Sequence, residues 1–371
     1  MTPRTLRQLM LVIIMTLLGI GIVAVYSASA MASEATYGGS LRFVLRHLVA
    51  IVCGLGLALA CLRIPYRHLR RSARWLLLAS VLLLILVFIF GEEVGGARRW
   101  FHLGRWSLQP SEFAQLSLVL YLADVLARRS AMLHDFWRGL LPPLLVTGML
   151  AGMVLIQPDL GTAIAMGSVA ILLLVVAKAR WPHLLGIIAV AAVALIVLIS
   201  AKEYRLRRIL AFVDPWKDPQ GSGYQILQSY FSLASGGIFG VGVGGSLQKL
   251  FYLPSAHTDF IFAIIGEELG FVGTTAIIGL FALFVTCGLR LAMAIHDLFS
   301  KYLVCGLVGL LGFEAMVNIA VVTGLIPTKG LPLPLISYGG SSMVMNLVAC
   351  ALIFHASRAG ERGPVAHPVS R

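Results

Sequence analysis

Ten apolar runs, each close to the length of one membrane crossing, leave this chain almost no alternative to a bundle of transmembrane helices. They fall at 8–30, 41–62, 74–91, 112–128, 141–156, 160–178, 183–201, 259–289, 302–324 and 340–357. A helix needs about 20 mainly apolar residues to cross the hydrocarbon core of a bilayer. Composition agrees. Charged residues make up 12% of the chain, against roughly 25% in soluble domains, and the mean hydropathy is +0.91. The expected fold class is all-α, a polytopic membrane protein of about ten transmembrane helices. One domain is expected over 1–357, with a short polar, disordered tail at 358–371. The first run follows Arg4 and Arg7 and is too long for a signal-peptide core, so it is read as an uncleaved first helix. The five cysteines form no CxxC pair and no zinc-spaced cluster with histidine, and are read as small apolar packing residues.

The net charge is +13. The basic residues lie between apolar runs and no nucleic-acid motif is present, so anionic headgroups and anionic lipid-linked substrates are the expected partners. Most of the 29 Lys and Arg residues fall in segments that share a side when the N-terminus is cytoplasmic. By the positive-inside rule, both termini are then cytoplasmic. The outer side carries the two longest connections, 92–111 and 202–258. Both mix aromatic, basic and Gly/Pro residues, as functional loops do. The glycine run 236–245 lacks the lysine–hydroxyl ending of a nucleotide loop.

Ionisable residues at membrane depth are costly and are functional candidates by default. Here they are Asp124, Asp159, Asp259, Glu267, Glu268 and Glu314. Asp259 stands at the outer end of the eighth run, where a carboxylate can be ionised yet shielded, as a general base requires. A helix N-cap is the equal alternative. Glu267 and Glu268 lie about 12 Å deeper at 1.5 Å per residue. Structural pairing is expected for them, and also for Asp124 with Arg128. Glu314 and Asn318 read as interhelical hydrogen-bonders. Asp159 reads as a helix cap or a substrate contact. The outer cations Arg98, Arg99, Arg105, Arg205, Arg207, Arg208, Lys217, Lys249 and Lys329 include candidates for a phosphate ligand. Lys329 sits in a rigid, re-entrant-looking segment, 327–332, that leads to Ser337-Tyr338-Gly339-Gly340-Ser341-Ser342. Glycines there would let backbone amides approach an anion.

The ordered strings Tyr26-Ser27-Ala28-Ser29, Gly96-Ala97-Arg98-Arg99-Trp100, Gln109-Pro110-Ser111-Glu112 and Gln157-Pro158-Asp159-Leu160-Gly161-Thr162-Ala163 are followed by Asp214-Pro215-Trp216 and Gly223-Tyr224-Gln225. Then come His257-Thr258-Asp259-Phe260, Glu267-Glu268-Leu269-Gly270 and the 337–342 segment. Together they resemble the SEDS family of shape, elongation, division and sporulation proteins, from about residue 10 to 357. Pro327-Thr328-Lys329-Gly330-Leu331 looks more like its division members than its elongation members. The resemblance implies a peptidoglycan glycosyltransferase of the bacterial inner membrane that polymerises lipid II, with Asp259 as the catalytic carboxylate. It implies lipid II and the growing glycan strand as substrates. A class B penicillin-binding transpeptidase and other divisome membrane proteins are the implied partners. Substrate-binding candidates are Lys329, Arg208, Lys249, Arg98, Asp159, Glu112, Ser337 and Ser341. No metal-ligand set is read from the sequence. A divalent cation, Mg or Mn, remains an option that a pyrophosphate leaving group allows. Three positions depart from the family pattern: Ser255 replaces Glu, Gln115 replaces Lys, and Glu314 replaces Gln. The competing readings are a lipid II flippase, favoured by the buried acids, and a catalytically weak division scaffold, favoured by the departures.

Overall fold

A computed structural model describes residues 1–94, 96–103 and 106–361. Arg105 and tail residues 362–371 lie outside the described residues. The helices run α1 (Pro3–Tyr37), α2 (Arg42–Arg63), α3 (Tyr66–Phe90), α4 (Pro110–Arg128), α5 (Leu141–Ile156), α6 (Leu160–Val176) and α7 (Trp181–Ser200). They continue with α8 (Glu203–Val213), α9 (Tyr224–Gly236), α10 (Ile261–Met293), α11 (Leu298–Val322) and α12 (Gly340–Glu361). Among the described residues, eight are long and apolar enough to cross a membrane: α1, α2, α3, α5 with its preceding turn, α7, α10, α11 and α12. The apolar α6 is shorter, at 17 residues. The 19 residues of α4 carry polar groups that the bundle buries. With these two, the ten expected crossings are accounted for.

The centre of the bundle is α4, α11 and α12, packed against α2, α3, α6 and α10. By contrast α7 buries only Leu184, as a helix facing lipid should. At one end of α4, Asp124 is fully buried and accepts from Arg128 and Arg70, each Nε 2.8 Å away. The i,i+4 partner was legible in the sequence, while Arg70 comes from another helix.

Both long connections are structured. Segment 92–108 forms a small antiparallel sheet, β1 (Glu92–Val94), β2 (Ala97–Leu103) and β3 (Trp106–Leu108), in that order. Arg99 on β2 donates from Nε and Nη2 to the carbonyls of Gln157 and Pro158, both at 2.7 Å. That pins the sheet to the α5–α6 turn. Segment 202–258 contains α8 and α9. The latter docks into the bundle through Ser229 Oγ to the Val322 carbonyl, 2.7 Å, and Ser232 Oγ to the Ala263 carbonyl, 2.9 Å. At the far end, α12 continues to Glu361.

The eighth run is not one continuous helix. Gly270 has φ +66° and breaks α10. A Cβ at Gly270 would lie 2.4 Å from the Gly240 nitrogen, so only glycine fits. The glycine run lies alongside the break. Val241 and Gly242 N–H groups donate to the carbonyls of Glu267 and Glu268, and Gly237 and Ile238 carbonyls accept from Phe271 and Val272. Irregular backbone at membrane depth is tolerated where protein satisfies its polar groups.

Glu267 completes this arrangement. Its carboxylate accepts from the N–H groups of Leu247 (2.9 Å) and Gln248 (3.4 Å), and from the hydroxyls of Ser232 and Ser246. Glu268 instead pairs with Lys249, Nζ to Oε1 3.3 Å, and accepts from Ser27 on α1. Adjacent carboxylates coexist because amides serve one and a cation the other. Glu267→Ala removes the acceptor of two amide and two hydroxyl hydrogen bonds. It should cost about 2–3 kcal/mol and expose 237–250 to protease. Unchanged thermal unfolding and cleavage would show that other contacts hold this segment.

Candidate active site

Residues 255–260 form a turn ahead of α10, closed by Thr258 N–H to the Ser255 carbonyl, 3.0 Å, and Phe260 N–H to the same oxygen, 3.3 Å. Three successive carbonyls in this turn are held from outside it. His257 O accepts from Tyr338 N–H at 3.0 Å. Thr258 O accepts from Ser337 Oγ at 2.7 Å. Asp259 O accepts from Asn318 Nδ2 at 2.8 Å. Asn318 also donates to the Leu331 carbonyl, 2.7 Å, so one side-chain amide on α11 ties the turn to the re-entrant segment. Ser337 Oγ accepts in turn from Leu333 N–H, 2.8 Å.

The Asp259 backbone is thus fixed while its carboxylate is not engaged. Among the described residues the carboxylate has no hydrogen bond or ion pair, and the residue is half-buried. Phe260 holds the N-cap position of α10, which has no side-chain cap, so Asp259 is not a helix cap. Burial pushes its carboxyl up to about 6, opposed by the Arg208 guanidinium and reinforced by the negative charge of Asp159. A group in that range is poised to exchange a proton near neutral pH.

The predicted site residues separate into those near this carboxylate and those used elsewhere. Arg208 on α8 is the cation whose field reaches Asp259, and its Nη1 donates to the Thr328 carbonyl at 3.3 Å. Lys329 is half-buried with no ion pair or hydrogen bond among the described residues, and burial lowers its ammonium below the usual lysine range. Asp159 caps α6 through Thr162 N–H, 3.1 Å, and also accepts from Thr162 Oγ1 (2.8 Å) and Gln109 Nε2 (3.2 Å). Both readings of Asp159 are compatible with that position. Ser341 Oγ accepts from Gln109 N–H, 3.2 Å, and hydrogen-bonds Glu112.

Lys249 does not join the group. Its ammonium is spent on Glu268, Ser27 and the Gly244 carbonyl, because the fold brings the glycine run against α10. Ser337 is likewise occupied on both sides by backbone and serves as a clamp. Arg98 lies on the exposed sheet, 3.7 Å from Glu93.

Against segment 327–332 lies a small pocket of about 40 Å³, whose polar lining is Gln109, Glu112, Gln115, Thr162 and Glu314, set among apolar residues with Gly330 at its edge. It is large enough for water, which occupies roughly 30 Å³ in the liquid. Two of the three departures meet here: Gln115 Nε2 donates to Glu314 Oε1 at 3.1 Å. They form a hydrogen-bonded pair. Among the described residues no three His, Cys, Asp or Glu side chains are placed to hold a metal ion.

Sequence reasoning read Asn318 only as an interhelical hydrogen-bonder and missed Gly330. The signal for the first was an amide at membrane depth. For the second it was a glycine directly after a candidate lysine.

Residues 7–362 match the model of the cell cycle protein family FtsW/RodA/SpoVE. The chain belongs to this family. It is 42% identical to a probable peptidoglycan glycosyltransferase FtsW of Trichlorobacter lovleyi, over 96% of this chain and 94% of the relative. It is 38% identical to the stage V sporulation protein E of Bacillus subtilis, over 96% and 98%. Among solved structures it superposes on a chain of a peptidoglycan synthase complex with TM-score 0.79 at 34% identity, covering 94% and 97%. The rod shape determining protein RodA of Thermus thermophilus gives 0.71 at 31%, covering 95% and 96%. The multi-pass membrane architecture expected for this FtsW/RodA/SpoVE member is therefore established.

A Cβ added at Gly330 would stand 3.1 Å from Asp259 Oδ2. Gly330→Ala should displace the carboxylate by a few tenths of an ångström and lower glycosyl-transfer turnover about tenfold, with thermal stability unchanged because Gly330 is exposed. Full turnover in the alanine variant would mean that the position of that oxygen is not critical.

Proposed function

We propose that the protein polymerises lipid II into glycan strands for septal or elongation wall synthesis, with Asp259 as general base. The observation that supports this most is a carboxylate held on a clamped turn, unpaired, half-buried, and within the field of Arg208. In the reaction the 4-hydroxyl of one sugar attacks the anomeric carbon of another. The bond from that carbon to undecaprenyl pyrophosphate breaks, with inversion. The hydroxyl proton passes to the Asp259 carboxylate. One carboxylate suffices because the donor already carries a good leaving group, whereas a glycosidase uses two about 5–10 Å apart. Negative charge gathers on the departing pyrophosphate. In this proposal Arg208 and Lys329 meet it, with Asp159, Glu112 and Ser341 in the polar wall beside them. The described residues do not supply a metal cage, and no step here runs through a metal.

In this reading both termini are cytoplasmic and the Asp259 turn faces the periplasm, as the distribution of basic residues indicates. A class B penicillin-binding protein would crosslink the strand, and other divisome membrane proteins would regulate the pair. A flippase needs a polar path through the bilayer. Asp124, Glu267 and Glu268 do not serve one, since each is tied to arginine, amide or lysine groups.

Purified protein with lipid II and its transpeptidase partner should make polymer. Asp259→Asn should reduce the rate by about 10²–10⁴-fold without unfolding. Undiminished polymer from that variant would overturn the proposal, and lipid II translocation without polymer would support the flippase. The base must be ionised to work. Because its carboxyl is raised to about 6, the rate should climb with pH through about 6 and level off above it. A profile already flat from pH 5 upward would contradict the assignment.

A further inference from the structure

Helix α3 opens on Arg67, His68, Arg70, Arg71 and Arg74 and contains no acidic residue. The fold turns one of these inward. Arg70 donates to the buried Asp124 and lies over the Phe299 ring, 5.4 Å from its centroid. Arg67, Arg71 and Arg74 are exposed, and among the described residues none of the three has a hydrogen bond, an ion pair or a ring contact. Spacings of four and three residues put them on one face of the helix, where like charges repel. They span about 10 Å at 1.5 Å per residue. Such a row calls for an anion from outside the chain.

The rest of this face says which anion. Trp75 is 73% exposed, and Leu78 and Leu82, in line with the arginines, are 57% and 56% exposed. The opposite face buries Leu69, Ala73, Leu77 and Ser80. An exposed tryptophan ring settles at the level of lipid head groups, and the leucines beyond it meet hydrocarbon. The arginines therefore stand at the head-group plane, with side chains long enough to reach phosphates there. A soluble acidic peptide would leave the leucines uncovered. Cations above an apolar stripe match a diacyl lipid with a negatively charged phosphodiester head.

This end of α3 is remote from Asp259. The other end, Phe90, leads into the sheet that Arg99 ties to the α5–α6 turn, and Asp159 of that turn acts on Asp259. The arginines lie roughly 25–35 Å along the helix from Phe90. A lipid bound to them sits in the leaflet opposite the Asp259 turn.

We propose that Arg67, Arg71 and Arg74 form a binding site for an anionic phospholipid, its phosphate held between guanidinium groups and its acyl chains lying along Leu78 and Leu82. Guanidinium forks suit phosphate oxygens. A lipid held there fixes the depth of α3, which packs on α4, and with it the level of the bundle in the bilayer. Neither Asp259 nor the transfer reaction enters this binding.

Native mass spectrometry of the full chain released from detergent tests this, with phosphatidylglycerol and phosphatidylcholine of identical acyl chains as probes. Phosphatidylglycerol should bind the more tightly. The combined variant Arg67→Gln, Arg71→Gln, Arg74→Gln should lose at least about tenfold in phosphatidylglycerol affinity, since each arginine near an anionic surface is worth about fivefold. Its phosphatidylcholine affinity should change little. The combined variant Lys202→Gln, Arg207→Gln, Lys217→Gln removes the same charge from exposed positions elsewhere and should keep the preference. Thermal unfolding of each variant confirms that it is folded. Equal affinity for the two phospholipids overturns the proposal. So does an equal loss in the second variant, which would make the preference an effect of net charge alone. Tighter binding of undecaprenyl pyrophosphate than of phosphatidylglycerol at these arginines would also overturn it, by making them a substrate site.

Discussion

The site depends on three backbone carbonyls being held so that one side chain need not be. Tyr338, Ser337 and Asn318 each donate to a successive carbonyl of residues 257–259. A buried carbonyl left without a donor costs about 1–3 kcal/mol, so such a run of bonds fixes the turn firmly. The usual way to position a carboxylate is to pair it, and pairing lowers its basicity. Here rigidity comes from the backbone, and the Asp259 carboxylate keeps its capacity to accept a proton. Clamp and proposed base occupy the same residue on different atoms.

The rest of the architecture supports that division. α11 supplies Asn318, and it can do so because it is packed within the bundle against α4, α6, α10 and α12. The glycine run fills the break in α10 and uses Glu267 as an acceptor for its returning strand. Lys249 is thereby drawn to Glu268 and away from the reaction. Arg99 ties the outer sheet to the α5–α6 turn, whose Asp159 faces the same region. Charges that looked alike in the sequence therefore divide into those that build the scaffold and those that remain available.

The crossings were legible because hydrocarbon thickness imposes a length that sequence shows directly. Asp259 stood out as a candidate because a carboxylate at a membrane boundary is costly, with a helix cap equally open, and its backbone clamp was not legible. The break at Gly270 was hidden in an otherwise apolar run. It is set by a partner segment thirty or so residues upstream, and no local preference announces it. The helices α8 and α9 and the outer sheet read as loop because they are short and rich in aromatic and basic residues. Lys249 stood beside Lys329 as a phosphate candidate because pairing depends on which acid the fold brings near. Gln115 and Glu314 read as separate departures, yet they meet across a pocket.

What matters most is whether the Asp259 carboxyl really titrates as an unpaired, partly desolvated acid. Infrared difference spectra of the protein against its Asp259→Asn variant, recorded across a pH series, isolate the protonated carbonyl band of this one group. A midpoint near 6 is predicted. A midpoint near the ordinary aspartate value of about 4, or a carboxylate band unchanged over the whole series, would contradict the account.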